Sequence, residues 1–338
     1  MPATIRDIRK KTGLSLATIS KYLNGGNVLP ENRLKIETAI RELNYEVNEI
    51  ARGLVTNKTR TVGVLVYNIQ SLYNGTLLRY IGESLRTQGY GMLICDSCEN
   101  EEVEANSLRF LVNKKVDGII VVPVSHTSNF LRPAKNAGIP VVLIDRALPD
   151  EEHDCVKIDN RMAAFRAMRS ILDKKHEKVA IICSKVEYTG IERYKGFLDA
   201  MESAGLQVPQ EYRKCERHCF EHGYNSMKEL LEMEDRPTAV FMTNYEITLG
   251  AVMAVNESGL RCPDDISMLG FDDLILSQVV NPKMNMVVQP MKEMGEKAVE
   301  LLLMRIGEKE NEEIMPMEII VTTKVQQGNS IKDMSVDG

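Results

Sequence analysis

From Thr61 onward the chain alternates short apolar runs with longer stretches of helical periodicity, and it does so twice. The first set reads TVGVLV (61–66), a helix around 75–88, GMLICD (91–96), a helix around 101–114, VDGIIVVPV (116–124), a further helix, IPVVLID (139–145) and VKID (156–159). The second reads KVAIIC (178–183), a helix at 190–204, a short strand near 213–218, a helix at 223–234, TAVFMTN (238–244), a helix at 246–258 and ISMLGFD (266–272). Matched strands recur at similar offsets: 117 residues from Val62 to Val179, 121 from Ile119 to Val240 and 126 from Val142 to Met268. Near-continuous apolar strands belong to parallel sheets covered on both faces, because a half-exposed strand would alternate. A repeat of this length implies two similar lobes, and ligands of such folds sit at the carboxyl ends of the strands, in the cleft between lobes.

Polar residues gather where these strands end: Asp96, Asp145-Arg146, Asp159-Asn160, Asn244 and Asp272-Asp273, with Arg193 early in a helix. Taken singly, each is an ordinary cap or turn former. As a set, carboxylates, an amide and a guanidinium facing one cleft suit a sugar, a nucleoside or another small polar metabolite.

The first 46 residues follow a different pattern. Thr4-Ile5-Arg6-Asp7 has the form of a capping box, Gly13 ends the helix it opens, and Ser15 can cap a second one over 16–24. Helix, glycine-containing turn and helix within about 21 residues is the helix-turn-helix pattern. Ile19 and Leu23 face inward on the second helix, which leaves Ala17, Thr18, Ser20 and Lys21 outward. Small side chains let a helix approach the major-groove floor, hydroxyls bond base edges or phosphates, and a lysine reaches guanine O6 and N7. Pro30 suits the first turn of a third helix with Ile36, Ala39, Ile40 and Leu43 on its core face. Residues 48–55 (NEIARGLV) form an amphipathic segment too short to be a stable isolated helix, and order there requires a partner.

Charge follows the same division. Residues 1–60 hold eleven Lys/Arg against six Asp/Glu, a balance of +5, so a chain of net charge −6 carries −11 on its other 278 residues. A basic head on an acidic body places a polyanion at one end only. The start, MPATIRDI, lacks the apolar run of a signal peptide, and no apolar stretch approaches the ~20 residues needed to cross a bilayer. With seven cysteines, an odd number, the expectation is a reducing cytoplasm and no membrane. There is no Walker loop, no G-x-G-x-x-G after the first strand, no HExxH and no nucleophile elbow, so no enzyme and no cofactor is expected.

These blocks resemble the lactose/galactose-repressor family of bacterial regulators over roughly residues 3–325. The head carries TIRDI, SLATISKYLNG, RELNY and NEIARGL; the body carries VDGIIVVP, IPVVLIDR, KHEKVAII, ERYKGFLDAM, TNYEITLGA and DISMLGFDD, in order. The resemblance implies an all-α helix-turn-helix head on a two-lobed, periplasmic-binding-protein-like α/β body. It implies a homodimer, in some members a tetramer, on a double-stranded DNA operator. The matching positions make Thr18, Ser20 and Lys21 groove-facing, put Leu16 and Ala17 at the base-reading start of the helix, bring Thr4, Ser15 and Asn24 near phosphates, and give Leu54 the place of a minor-groove wedge. In the body, Arg193, Asp272, Asp145 and Asn244 match effector-binding positions, and Asn74 stands at an effector position usually aromatic. Lys21 replaces the usual Arg, Leu29 a usual Ser/Thr cap, and Tyr245 an acid.

The organisation expected is a DNA-binding domain at 1–46, a hinge at 47–60 and an effector-binding body at 61–328. Its first lobe takes about 61–159 with 288–320, its second about 160–287 with 321–328, and 329–338 forms a polar tail. The competing reading is a two-lobed binding protein with a vestigial head, or a regulator controlled by a protein partner. Cys215, His218, Cys219 and His222 invite a metal site, but in a strand the cysteines and histidines fall on opposite faces, which argues against one. Cys95-x-x-Cys98 lacks the strand-to-helix setting of a redox motif, so structural cysteines are expected there.

Overall fold

The computed structural model describes residues 3–46, 58–272, 276–307 and 315–335. The head is three helices, α1 (Ile5–Thr12), α2 (Leu16–Leu23) and α3 (Pro30–Leu43). Asp7 closes the expected cap by accepting from Thr4 N–H at 2.9 Å and Thr4 Oγ1 at 2.7 Å, and Gly13 ends α1 at φ 71°, in the left-handed region. Ile8, Ile19, Ile36 and Ala39 meet in a small core of their own. Leu29 gives α3 no side-chain cap and is exposed, so Pro30 alone fixes that helix start.

The body holds two six-stranded sheets. The elements of the first run β1 (Thr61–Val66), α4 (Leu72–Thr87), β2 (Gly91–Asp96), α5 (Glu101–Asn113), β3 (Gly118–Val121), α6 (Arg132–Asn136), β4 (Val141–Ile144) and β5 (Cys155–Ile158). The second continues with α7 (Asn160–Leu172), β6 (Val179–Ser184), α8 (Tyr188–Ser203), β7 (Arg213–Glu216), α9 (Phe220–Glu232), β8 (Ala239–Met242), α10 (Tyr245–Ser258), β9 (Ser267–Phe271), α11 (Leu276–Val279) and β10 (Asn285–Val288). The chain then returns to the first lobe with α12 (Met291–Gly307) and β11 (Glu318–Val321), and ends in the second with β12 (Lys324–Gln326).

Strand order is β11-β5-β4-β3-β1-β2 in one sheet and β12-β10-β9-β8-β6-β7 in the other. All pairings are parallel except β10 with β12. The repeat read from sequence is therefore a repeat of topology: β1, β3 and β4 correspond to β6, β8 and β9. In both lobes the order reverses next to the first strand, and the crevice at that switch point opens at the strand ends. The helices packed on the second sheet come very close. A Cβ on Gly223 of α9 would lie 2.2 Å from the Ile247 carbonyl oxygen, and one on Gly250 of α10 would lie 2.1 Å from that of Phe220. Only glycine permits this backbone approach.

The polar stretch after residue 329, read as a tail, docks instead. Ser330 and Ile331 are buried. Ser330 Oγ donates to the Met268 carbonyl at 2.6 Å and accepts from Asn285 N–H at 2.7 Å, and the Lys332 carbonyl lies 3.0 Å from His176 Nε2. The segment supplies partners to backbone groups of β9 and β10, the Met268 carbonyl and the Asn285 N–H, which composition alone does not reveal. Among the described residues no helix is long and apolar enough to cross a membrane.

Replacing Ser330 by Ala strands a buried carbonyl and a buried N–H, and should lower unfolding free energy by roughly 1–3 kcal/mol in chemical denaturation. Ser335→Ala, at an exposed neighbour, should stay within about 0.5 kcal/mol; equal effects of the two would remove the docking role.

Candidate DNA-reading face and interlobe cleft

Helix α2 starts where Ser15 Oγ accepts from the Thr18 N–H at 3.1 Å. Ile19 is fully buried beneath it, and this fixes the rotation of the helix. Ala17 and Lys21 are exposed as a result, and Leu16, Thr18 and Ser20 are half-buried. The polar groups on this face satisfy each other: Ser15 with Thr18 at 2.9 Å, Asn24 Nδ2 to Ser20 Oγ at 3.3 Å, and Thr4 with Asp7. All are exposed pairs that can be exchanged for contacts to another polar surface at little cost. The Lys21 stem is held against Gly26, whose N–H donates to the Lys21 carbonyl at 2.8 Å; a Cβ at Gly26 would lie 2.7 Å from Lys21 Cγ. A shallow depression joins Ala17, Thr18 and Lys21 to Asn27 and Asn32. These two amides escaped the sequence reading because they lie in a loop and on the next helix. Leu54 lies outside the described residues.

Between the lobes, at the strand ends, is a cleft of about 720 Å³. The first lobe lines it with Tyr67, Asn68, Ser71, Glu99 and Arg146, and the second with Glu187, His218, Asn244 and Glu246, among others. The Arg146 guanidinium lies over the Tyr67 ring at 4.4 Å. Arg146 Nε, Glu187 Oε2 and His218 Nε2 are buried without a hydrogen-bond partner, so the wall offers a donor, an acceptor and an imidazole nitrogen. Asn244 caps α10 by accepting from Ile247 N–H at 2.9 Å, and its Nδ2 donates to Glu246 at 2.7 Å.

Of the five residues expected to bind an effector, Asn244 reaches this wall, and the other four stand behind it. Asp145 and Asp272 occupy equivalent places, directly after β4 and β9. Both are left-handed, at φ 71° and 66°, and each N–H donates to the strand beyond, to Val156 and Val287. Aspartate tolerates this conformation better than most residues, and the neighbouring strand holds it there. Asp145 accepts from the Tyr73 hydroxyl at 2.8 Å. Asp272 accepts from Gln289 Nε2 at 2.5 Å and lies 3.6 Å from the Arg193 guanidinium. Arg193, only 2% exposed, also donates to Asn160 Oδ1 at 2.8 Å and to the Thr243 carbonyl at 2.6 Å, and lies 3.7 Å over the Phe271 ring. Asn74 is fully buried and donates to the Asn68 carbonyl at 2.8 Å; the aromatic rings on the wall are Tyr67, Tyr188 and Phe220. Likewise Tyr245 is buried, and its neighbour Glu246 is one of the acids on the wall, with Glu99 and Glu187. The sequence reading missed Tyr67 and Glu246 because it selected polar residues at the strand ends: Tyr67 is an aromatic one residue past the run 61–66, and Glu246 lies two residues past Asn244, in the following helix.

Electrostatics set the protonation of this wall. Burial pushes the His218 imidazole well below its ordinary pKa, and the Arg193 and Arg146 cations push the same way. Burial raises the Glu246 carboxyl, and so do Asp272 and Glu99 nearby. Burial likewise raises Asp272 against the opposing pull of Arg193. Among the described residues no cluster of three or more His, Cys, Asp or Glu could hold a metal. Cys219 Sγ instead caps α9, and His222 lies 3.1 Å from both the Cys183 carbonyl and Ser226 Oγ.

Residues 4–48 match the family described as bacterial regulatory proteins, lacI family, and residues 168–331 match a periplasmic binding protein-like domain. The chain is 33% identical to catabolite control protein A of Priestia megaterium, over 89% of this chain and 92% of that protein. It is also 33% identical to the HTH-type transcriptional repressor PurR of Pasteurella multocida, over 96% and 99% of the two chains. A solved lac repressor dimer, bound to operator and the anti-inducer ONPF, has the same fold, with a TM-score of 0.86 at 19% identity over 98% of this chain and all of that one.

An imidazole held below its ordinary pKa of 6.5 stays neutral in the folded chain, while the unfolded chain takes up a proton below that value. Stability must therefore fall as pH drops through about 6.5. His218→Gln should remove about 1 kcal/mol of that loss between roughly pH 6.5 and 5.5 in urea unfolding. The half-buried His153 and the buried His176, also pushed down, keep the remainder. Parallel acid-side profiles for variant and parent would place the His218 proton elsewhere.

Proposed function

The chain belongs to the lacI family of bacterial regulatory proteins, and from that premise we propose that it is a DNA-binding transcriptional repressor whose operator affinity is set by a small polar molecule held between its lobes. The observation that carries this reading is the pairing, in one chain, of an exposed helix face built from Ala17, Thr18, Ser20 and Lys21 with a polar cleft of about 720 Å³. Small side chains around a lysine suit major-groove readout. A cleft of this size, walled by polar groups from both lobes, suits a small polar metabolite better than a peptide.

The operator is a pseudo-palindrome and the working form a homodimer, since one head covers a single half-site and two-fold protein symmetry calls for two-fold DNA. Residues 1–46 read DNA, 47–60 connect, and the body at 61–328 senses ligand. Thr18, Ser20 and Lys21 address base edges, with Leu16 and Ala17 against the groove floor, and Thr4, Ser15 and Asn24 address phosphates. Leu54 wedges the minor groove. In the cleft, Tyr67 and Arg146 of one lobe and Asn244 and Glu246 of the other contact the ligand, and Arg193, Asp145 and Asp272 hold them in place from behind. A ligand touching both walls favours one interlobe angle, and the coupling to DNA is of the usual size, ~1–3 kcal/mol.

The direct test is selection of binding sites from randomised duplex DNA at fixed salt, with the purified chain, in the presence and absence of a small-molecule extract. An enriched palindrome supports the repressor reading, and no enrichment in either condition overturns it. Against the selected site, Lys21→Ala should weaken binding about 5- to 150-fold and relax preference at one base pair per half-site, read by fluorescence anisotropy. Unchanged affinity and preference would take Lys21 out of base readout. Glu246→Gln should leave operator affinity without extract unchanged and shift the extract response; loss of ligand-free affinity would instead make Glu246 structural.

A further inference from the structure

Strands β6 and β7 pair in parallel with Cys183 opposite Cys215. Register partners on adjacent strands present their side chains to the same face, and adjacent strands lie ~4.8 Å apart. That spacing falls within the ~4.4–6.8 Å between α-carbons that a disulfide spans. Both cysteines are free. Cys183 is fully buried in the sheet, whereas Cys215 is half-buried on β7, the edge strand. Lys214, one residue earlier, reaches Glu229 of α9 at 2.6 Å, so Cys215 turns to the opposite face, that of α8. The adjacent Cys183 thiol holds the Cys215 thiol below its ordinary pKa, and the Lys185 and Arg213 cations act in the same sense. A partly exposed thiol beside cations is the setting in which cysteines react.

We infer that Cys215 and Cys183 form a hydroperoxide-oxidisable dithiol, with Cys215 as the attacking thiol and Cys183 as the resolving one. The Cys215 thiolate attacks the peroxide oxygen. An S–O bond forms, the O–O bond breaks, and the departing oxygen leaves as water or an alcohol after taking up a proton. Cys183 then attacks the sulfenic sulfur; the S–S bond forms, the S–O bond breaks, and the hydroxyl leaves with the Cys183 proton as water. The peroxide gains two electrons and each sulfur gives up one. The bond ties the edge strand to its neighbour immediately before Arg217, His218 and Cys219, which enter the cleft wall. Oxidation thus acts on the wall that faces the ligand. The chemistry itself stands independently of the repressor reading.

The test is peptide mass spectrometry of the full-length reduced chain after exposure to hydrogen peroxide, followed by alkylation. The expected product is a Cys183–Cys215 linked peptide, two hydrogens lighter than the sum of its parts. In Cys183→Ser, a sulfenic-acid trap such as dimedone should label Cys215, and in Cys215→Ser it should leave Cys183 unlabelled. The exposed Cys98 serves as an internal control. Recovery of Cys183 and Cys215 as separately alkylated peptides, at a dose that oxidises Cys98, would overturn the proposal whatever the variants do. A link from Cys215 to any other cysteine would overturn it too.

Discussion

Everything at the centre of the body is arranged around one buried cation. Arg193 is a buried guanidinium, and its transfer from water is tolerable only if its donors are met. They are met by Asn160, the Thr243 carbonyl and Asp272, with the Phe271 ring against its face. Those partners come from three places that chain connectivity keeps apart. Asn160 follows the first crossing between lobes, Thr243 and Asp272 end two strands of the second lobe, and Asp272 is in turn held by Gln289 at the second crossing. A buried ion pair of this kind adds little net stability, since desolvation offsets the Coulomb gain. What it does is fix geometry: any change in the relative position of the crossings strands a charge. Arg193 therefore couples the hinge between the lobes to the strand ends of the second.

The cleft wall draws on the same resource. Asp145 and Asp272, at matching strand ends, turn the chain through the left-handed region, and the first of these turns sets Arg146 on the cleft wall. Burial, helped by the Arg193 and Arg146 cations, keeps His218 neutral, and burial, helped by Asp272 and Glu99, keeps Glu246 more protonated than a free carboxyl. A wall of neutral or partly neutral groups discriminates by hydrogen-bond pattern more than by charge, because an unmatched buried donor or acceptor costs more than a matched one gains. Recognition of a polyfunctional polar ligand follows from that asymmetry.

The head works on the opposite principle. Its small core fixes only the rotation of α2, and its functional groups lie at the surface in exchangeable pairs. Contacts that a body residue makes once, in a buried network, a head residue makes twice: first to its neighbour, then to whatever surface replaces that neighbour.

Sequence alone determined the main elements up to residue 272 and their duplication, because strand and helix periodicities are local; the strands and helices after it came only with the structure. It also determined the polarity of α2, since Ser15, Gly13 and Ile19 fix its start and rotation through short-range bonds. Tertiary structure decided which polar residues face the cleft. Asn74 and Tyr67, or Tyr245 and Glu246, are equally plausible on paper, and only the packing of α4 and α10 on their sheets turns one of each pair inward. It decided the fate of the last residues too: Ser330 and Ile331 carry no periodicity to betray that they dock, because their partners on β9 and β10 lie about 45 to 60 residues away. The opposition of Cys183 and Cys215 belongs to the same class, since register between parallel strands is set by the whole sheet and by no segment of it.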